Sequence, residues 1–291
     1  MYRMTRYQPL LTLCLSGALL LGGNAAAEAQ TAAPHSSVQT AITYTHPWQG
    51  KKVAFFGDSI TDPNLKGGQI KNYWSFLQDW IGITPYVYAI SGRQWNDIPR
   101  QTTQLKQEHG DDVDGILILM GTNDYNKGLP LGEWFDEQME EVEYANDGRP
   151  KRTGPRRHRT LSLTDTTYRG RINLALRQLK QTYPTKQIIL MTPLHRGRAY
   201  FNDSNVQPDE NYQNTCGAYI DAYVEAIKEA GNLWAMPVID LNAVSGLQPM
   251  VQEQLDYFWD KENDRLHPNT QGQQRMGRAI LQQLLLYPVM E

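Results

Sequence analysis

From residue 51 onward, short apolar runs alternate with longer stretches whose apolar residues recur every three or four positions. Val53-Ala54-Phe55-Phe56 predicts a strand, and Trp74, Leu77 and Trp80 follow it at helical spacing. Residues 86–90 predict a second strand, and 97–108 a polar helix with Pro99 in its first turn. Residues 115–120 are apolar without interruption, the pattern of a central parallel strand buried on both faces. Further on, 166–183 place Ile172, Leu176 and Leu179 on one helical stripe, and 187–191 predict a fourth strand. Residues 212–230 predict a long helix, 237–241 a fifth strand and 270–286 a closing helix. Strands alternating with helices predict an α/β domain built on a parallel sheet of about five strands with right-handed crossovers. Residues 144–161 break the pattern. They carry Arg149, Lys151, Arg152, Arg156, Arg157 and Arg159 without apolar periodicity, which predicts an exposed, mobile basic insertion.

The first 29 residues read differently. Arg3 and Arg6 precede an apolar run over 10–21, and Ala25-Ala26-Ala27 offers a small-residue cleavage site, the anatomy of a secretory signal peptide. The run is shorter than the ~20 residues that span a bilayer. Residues 30–50 then form an N-terminal extension and 51–291 the folded domain, exported to the periplasm or beyond the cell, or associated with the outer membrane. No other segment is long and apolar enough to cross a membrane. Cys14 belongs to the leader, so Cys216 alone remains and no internal disulfide is expected. A net charge of −3 offers no basic face for nucleic acid, while 40% hydrophobic residues supply ample core.

Three of the predicted strands run into chemistry-bearing residues. Gly57-Asp58-Ser59 follows the first and places a hydroxyl at the carboxyl edge of the sheet, where open α/β folds bind ligands. A serine hydroxyl needs a base to become a nucleophile. Asp264 and His267, three residues apart before the last helix, supply one if a short turn aims the carboxylate at the imidazole. Ser91-Gly92 follows the second strand and Gly121-Thr122-Asn123-Asp124 the third. The N–H groups of Ser59 and Gly92 with the Asn123 amide make three donors for one oxyanion. Each piece alone also reads as an ordinary turn or cap. Trp95 is a candidate for stacking on a sugar ring, or else a packed aromatic; His195 either lines the pocket or sits on a surface loop. Asp58 is the third candidate substrate contact. There is no His-Glu-x-x-His helix, Walker loop or dinucleotide glycine triplet. Asp111, Asp112 and Asp114 read as a solvated strand entry, and no metal is expected.

Taken together, Gly-Asp-Ser-Ile, Ser-Gly, Gly-Thr-Asn-Asp and Asp-x-x-His-Pro, in that order, resemble the SGNH hydrolases, the GDSL esterase and lipase superfamily, over about residues 51–287. The four family letters fall on Ser59, Gly92, Asn123 and His267. The resemblance implies a three-layer α/β/α sandwich of flavodoxin-like type and ester hydrolysis through an acyl-enzyme, without metal or other cofactor. The basic insertion departs from the family pattern and leaves substrate choice open. Polar and stacking residues after the strands (Arg93, Gln94, Trp95, Asn96, Asn126, His195, Arg196) suit a small acyl group on a carbohydrate alcohol, a small-molecule or glycan ester. The alternatives are a lipase or lysophospholipase, a thioesterase, or a non-catalytic carbohydrate-binding relative.

Overall fold

The apolar runs that begin at Val53 and Gly115 lie side by side within a five-stranded sheet, in register from Val53 opposite Gly115 to Gly57 opposite Leu119. The structure is a computed structural model that describes residues 45–146 and 148–289. The leader and most of the extension fall outside these residues. In chain order the elements are β1 (Lys52–Gly57), α1 (Tyr73–Ile81), β2 (Thr84–Val87), α2 (Ile98–His109), β3 (Gly115–Leu119) and α3 (Thr122–Asn126). Next come β4 (Phe135–Tyr144), β5 (Arg152–Leu161), α4 (Tyr168–Thr182), β6 (Gln187–Met191), β7 (Ala199–Asn202) and β8 (Asn205–Gln207). The chain continues through α5 (Ile220–Trp234), β9 (Val238–Ile239), α6 (Leu241–Val244), β10 (Phe258–Asp260), β11 (Asp264–Pro268) and α7 (Thr270–Gln283).

The main sheet is parallel throughout, in the order β2-β1-β3-β6-β9. That order reverses direction between β1 and β3, which opens a crevice at their carboxyl ends. Strand alternation sorts the core into two layers. Ala54, Phe56, Ile116, Ile118 and Leu190 face Ile98, Leu105, Leu176 and Ile227 of α2, α4 and α5. Val53, Phe55, Leu117, Ile189 and Met191 face Tyr73, Leu77, Met276 and Ile280 of α1 and α7. This is the expected α/β/α sandwich.

The folded unit begins earlier than residue 51. Trp48 is wholly buried, and its indole fills the space where a Cβ on Gly115 would come within 2.5 Å of it. Two further expectations change. The helix expected over 212–230 starts only at Ile220, because Asn214 Oδ1 accepts the N–H groups of Cys216 and Ala218 and Gly217 turns at φ +82°. Asp264 and His267 lie on a strand rather than a turn, in a second, antiparallel sheet of order β10-β11-β7-β8.

The basic insertion is not a structureless loop. It supplies β5, whose ten residues pair antiparallel with β4 from Phe135 opposite Leu161 to Tyr144 opposite Arg152. Both faces of this ribbon are largely exposed, so no apolar alternation marks it. Charge does instead: Arg157 pairs with Glu137 at 3.0 Å, His158 with Glu140 at 2.8 Å and Lys151 with Glu143 at 2.6 Å. The guanidiniums of Arg156 and Arg152 lie 4.2 and 5.2 Å from the Tyr144 ring centre, and Arg159 lies 4.0 Å from that of Phe135. Cross-strand ion pairs and cation–π contacts of this kind each contribute up to about 1 kcal/mol. Among the described residues no helix is long and apolar enough to cross a membrane.

Candidate active site

Ser59 stands just past the end of β1, in a turn where the Asp58 carbonyl accepts the N–H groups of Thr61 and Asp62. Its Oγ lies 2.9 Å from Nε2 of His267, which reaches it from β11. On the other side of the ring, Nδ1 lies 2.9 and 3.0 Å from the two oxygens of Asp264. Asp264 Oδ1 also accepts the backbone N–H of Leu266 and of His267, at 3.3 and 3.1 Å, which fixes the carboxylate on its own strand. Burial alone would push this carboxyl up. His267 and Lys66 overcome that and hold it below the ordinary aspartate value. Because an ionised carboxylate can only accept, Nδ1 carries the ring proton and Nε2 accepts from the serine hydroxyl.

The opposite wall comes from the loops after β2 and β3. Gly92 sits at φ +79°, a left-handed conformation that glycine adopts without strain. Its neighbour Ser91 is tied down by Asp62, whose Oδ2 accepts the Ser91 N–H at 2.8 Å and its hydroxyl at 2.7 Å. The other Asp62 oxygen accepts the Asn64 N–H at 2.8 Å, so one carboxylate joins the serine loop to the glycine loop. Asn123, in the first turn of α3, donates one Nδ2 hydrogen to the Arg93 carbonyl at 3.0 Å. An amide nitrogen has two hydrogens, and the second remains for the cavity. Gln94 donates to the Asn123 carbonyl at 3.0 Å and steadies the same turn. Beneath it, Asp124 accepts from the Trp95 N–H and pairs with Arg171 at 3.3 Å; burial pushes its carboxyl up to about 7.

Ser59, Gly92, Asn123 and His267 thus border one cavity of about 350 Å³, and Asp264 backs the histidine. The three candidate substrate contacts stand elsewhere. Trp95 is wholly buried in the core beside α2, so neither ring face is open to a sugar. The Asp58 carboxylate turns back to accept the Ile60 N–H at 3.1 Å and does not border the cavity; burial pushes it up to about 7. His195 lies outside the cavity, its Nδ1 2.9 Å from Glu210 Oε1, and that hydrogen bond raises its pKa. The residues that do line the remaining walls include Leu65, Lys66, Phe201, Asn205, Gln207 and Leu266. Of these, Leu266 alone stood beside a recognisable motif. Lys66 sits on the loop after Ser59 with no motif of its own, and the β7–β8 hairpin carries no local signal because the second sheet that brings it in is assembled from segments far apart in the chain. Among the described residues no group of three or more His, Cys, Asp or Glu side chains forms a metal site.

Residues 55–275 match the model of the GDSL-like lipase/acylhydrolase family. Comparison with curated proteins finds no match. A solved structure from Lactobacillus plantarum is similar over 82% of this chain and 98% of its own, at 22% identity and a TM-score of 0.61. A possible lipase from Chitinophaga pinensis is similar over 80% of this chain and 96% of its own, at 18% identity and a TM-score of 0.56. At such identities the structural likeness speaks for the fold, and the family match speaks for the chemistry. The chain belongs to the GDSL-like lipase/acylhydrolase family of the SGNH hydrolase superfamily, and it is an ester hydrolase.

Proposed function

We propose that the protein is an exported serine esterase that removes a small acyl group from a polar, carbohydrate-type alcohol through an acyl-enzyme. The observation that carries the mechanism is the line from Ser59 Oγ to His267 Nε2, at 2.9 Å, continued from Nδ1 to Asp264. In the first half-reaction Ser59 Oγ attacks the ester carbonyl carbon while His267 Nε2 takes its proton. The carbonyl oxygen becomes an oxyanion facing the N–H groups of Ser59 and Gly92 and the free Asn123 hydrogen. A preorganised donor of this kind is worth roughly 3–4 kcal/mol of barrier. Collapse expels the alcohol, which leaves with the proton from His267. Water then repeats the cycle on the acyl-serine, its proton passing to His267 and on to Ser59 Oγ as the acid departs.

A cavity of about 350 Å³ is at the small end of ligand sites, which favours a short acyl group. Its Asn205 and Gln207 wall favours an oxygen-rich alcohol over a second hydrocarbon chain. The signal peptide read over residues 1–29 would bring the enzyme to where glycans are met. A p-nitrophenyl ester series tests the reading. kcat/KM is expected to fall steeply beyond butyrate and to vanish in Ser59→Ala. Octanoate or phospholipid turning over faster than acetate overturns the short-acyl assignment, and unchanged activity in Ser59→Ala overturns the nucleophile.

A further inference from the structure

Arg196 is the buried group for which the proposed mechanism has no use. It is 1% exposed, and its guanidinium meets only neutral acceptors. Nη1 donates to the carbonyl and hydroxyl of Thr122, both at 3.2 Å, and Nη2 donates to Gln207 Oε1 at 2.8 Å. Nε has no partner, the Tyr125 ring centre lies 5.1 Å away, and no carboxylate forms an ion pair with it among the described residues. Burial lowers its pKa to about 10, so it remains a cation at neutral pH. The carboxylates of Glu210, Asp58 and Asp209 attract it without touching the guanidinium, and a buried charge with no direct ion pair is costly unless its hydrogen bonds are well made. The position of its strongest bond shows what it organises.

A guanidinium has five donors and no acceptor, so the Gln207 amide must turn its oxygen toward Arg196. That orientation points Nε2 away, and it donates to Asn205 Oδ1 at 3.2 Å. The Asn205 oxygen is thereby occupied, and Asn205 Nδ2 has no protein partner among the described residues. Both Asn205 and Gln207 border the same cavity as Ser59, Gly92 and Asn123. A chain of dipoles, each aligned by the one before and anchored on a buried cation, therefore ends in the free amide N–H groups of Asn205, an exposed residue at the cavity's border. Such alignment strengthens the terminal donor.

We infer that the Arg196–Gln207–Asn205 relay makes Asn205 Nδ2 a specificity-determining donor for a hydroxyl or ring oxygen on the alcohol portion of the substrate. The inference rests on the esterase reading and narrows it to oxygen-bearing alcohols. A hydrocarbon at this wall leaves the donor without a partner and loses its hydration, whereas a sugar oxygen replaces the water it displaces. Arg196 and Gln207 are positioning residues; only Asn205 touches substrate.

The test compares a mono-acetylated methyl pyranoside with p-nitrophenyl acetate, which share the acyl group and differ in the alcohol. In Asn205→Leu the ratio of kcat/KM for the sugar acetate over the aryl acetate is expected to fall about tenfold, chiefly through KM, the effect of one lost hydrogen bond. Gln207→Glu keeps the contact to Arg196 but offers its second oxygen to Asn205 Nδ2, which turns the Asn205 amide over. The same fall in the ratio is expected there although Asn205 is intact. A purely structural role lowers both substrates alike, and a ratio at the wild-type value in Asn205→Leu overturns the inference while leaving the esterase reading in place. A wild-type enzyme that hydrolyses neither acetate overturns both.

Discussion

The ammonium of Lys66 lies 2.6 Å from Asp264 Oδ2, so the carboxylate that holds His267 is shared between an imidazole and a lysine. Lys66 reaches it from a left-handed backbone conformation, φ 52° and ψ 37°, that costs a lysine about 1 kcal/mol or more. Phe201 and Trp259 flank its ammonium, with ring centres 5.1 and 5.6 Å away. The serine loop therefore grips the histidine strand through charge as well as through the Ser59 contact.

That sharing predicts an unusual double mutant. Removing Asp264 leaves the Lys66 cation beside a histidine that must become positive in the transition state. Asp264→Ala should lower kcat by about three to four orders of magnitude, as loss of the acid does in other triads. Lys66→Met alone should cost less than tenfold. The pair together should be more active than Asp264→Ala. A cycle measured with p-nitrophenyl acetate in which the double mutant equals or trails Asp264→Ala contradicts the account.

Acid stability should respond to the same lysine. Asp264 titrates below the ordinary aspartate value, so its contribution is complete above that value and is lost as pH falls through the lowered one. Lys66→Met removes one of the two groups that hold the Asp264 carboxyl down. We expect stability at pH 7 to drop by about 1–3 kcal/mol, and the acid unfolding midpoint to move to higher pH. Urea melts across pH 3–7 measure both; an acid midpoint that stays in place refutes the assignment.

Asp62 offers a separate handle on the oxyanion side. Its carboxylate holds Ser91 by two hydrogen bonds and Asn64 by a third, and so sets the position of the Gly92 N–H. Asp62→Ala should lower kcat by about 10- to 100-fold with little change in KM, because a misplaced donor is felt in the transition state more than in the bound ester. A change confined to KM would show that the loop positions substrate instead.

Asp58 carries the opposite pH signature. Its folded-state pKa is pushed up to about 7 by burial, so the folded protein binds a proton that the unfolded chain releases near pH 4. Stability therefore falls as pH rises from about 4 to 7 and stays at the lower level above that. Asp58→Asn keeps an acceptor for the Ile60 N–H and has no charge to bury. The variant should melt higher than wild type at pH 8, by an amount that shrinks toward pH 4. A melting-temperature difference independent of pH would rule this out.

Much of the site was legible because Ser59, Gly92 and Asn123 each follow a strand of the buried sheet, where an apolar run and a polar tripeptide sit next to each other in the chain. His267 was legible from its spacing to Asp264. Trp95 shows the limit of such reading: three residues past Gly92, it turns into the core, and nothing local distinguishes an exposed indole from a buried one. The β4–β5 ribbon escaped for a different reason. Period-two patterning reports burial of one face, and this hairpin buries neither, so its register is written in opposed charges that composition reads as a basic loop. Asn205 and Gln207 enter through the second sheet, whose four strands come from two distant segments, and Lys66 enters from the loop between β1 and α1, where no motif marks it.

Ser59 and His267 are separated by 208 positions, and the last helix seals the site by a third long-range link. Gln273 on α7 accepts the Tyr73 N–H at 3.0 Å and donates to the Ile60 carbonyl at 2.9 Å, next to the nucleophile. A ribosome-bound or truncated chain lacking the final thirty or so residues would carry the serine with nothing to activate it. Hydrolysis is therefore a clock for completed folding. In a refolding experiment helical signal should return before turnover, and the lag between them measures how long the C-terminal segment takes to find the first strand.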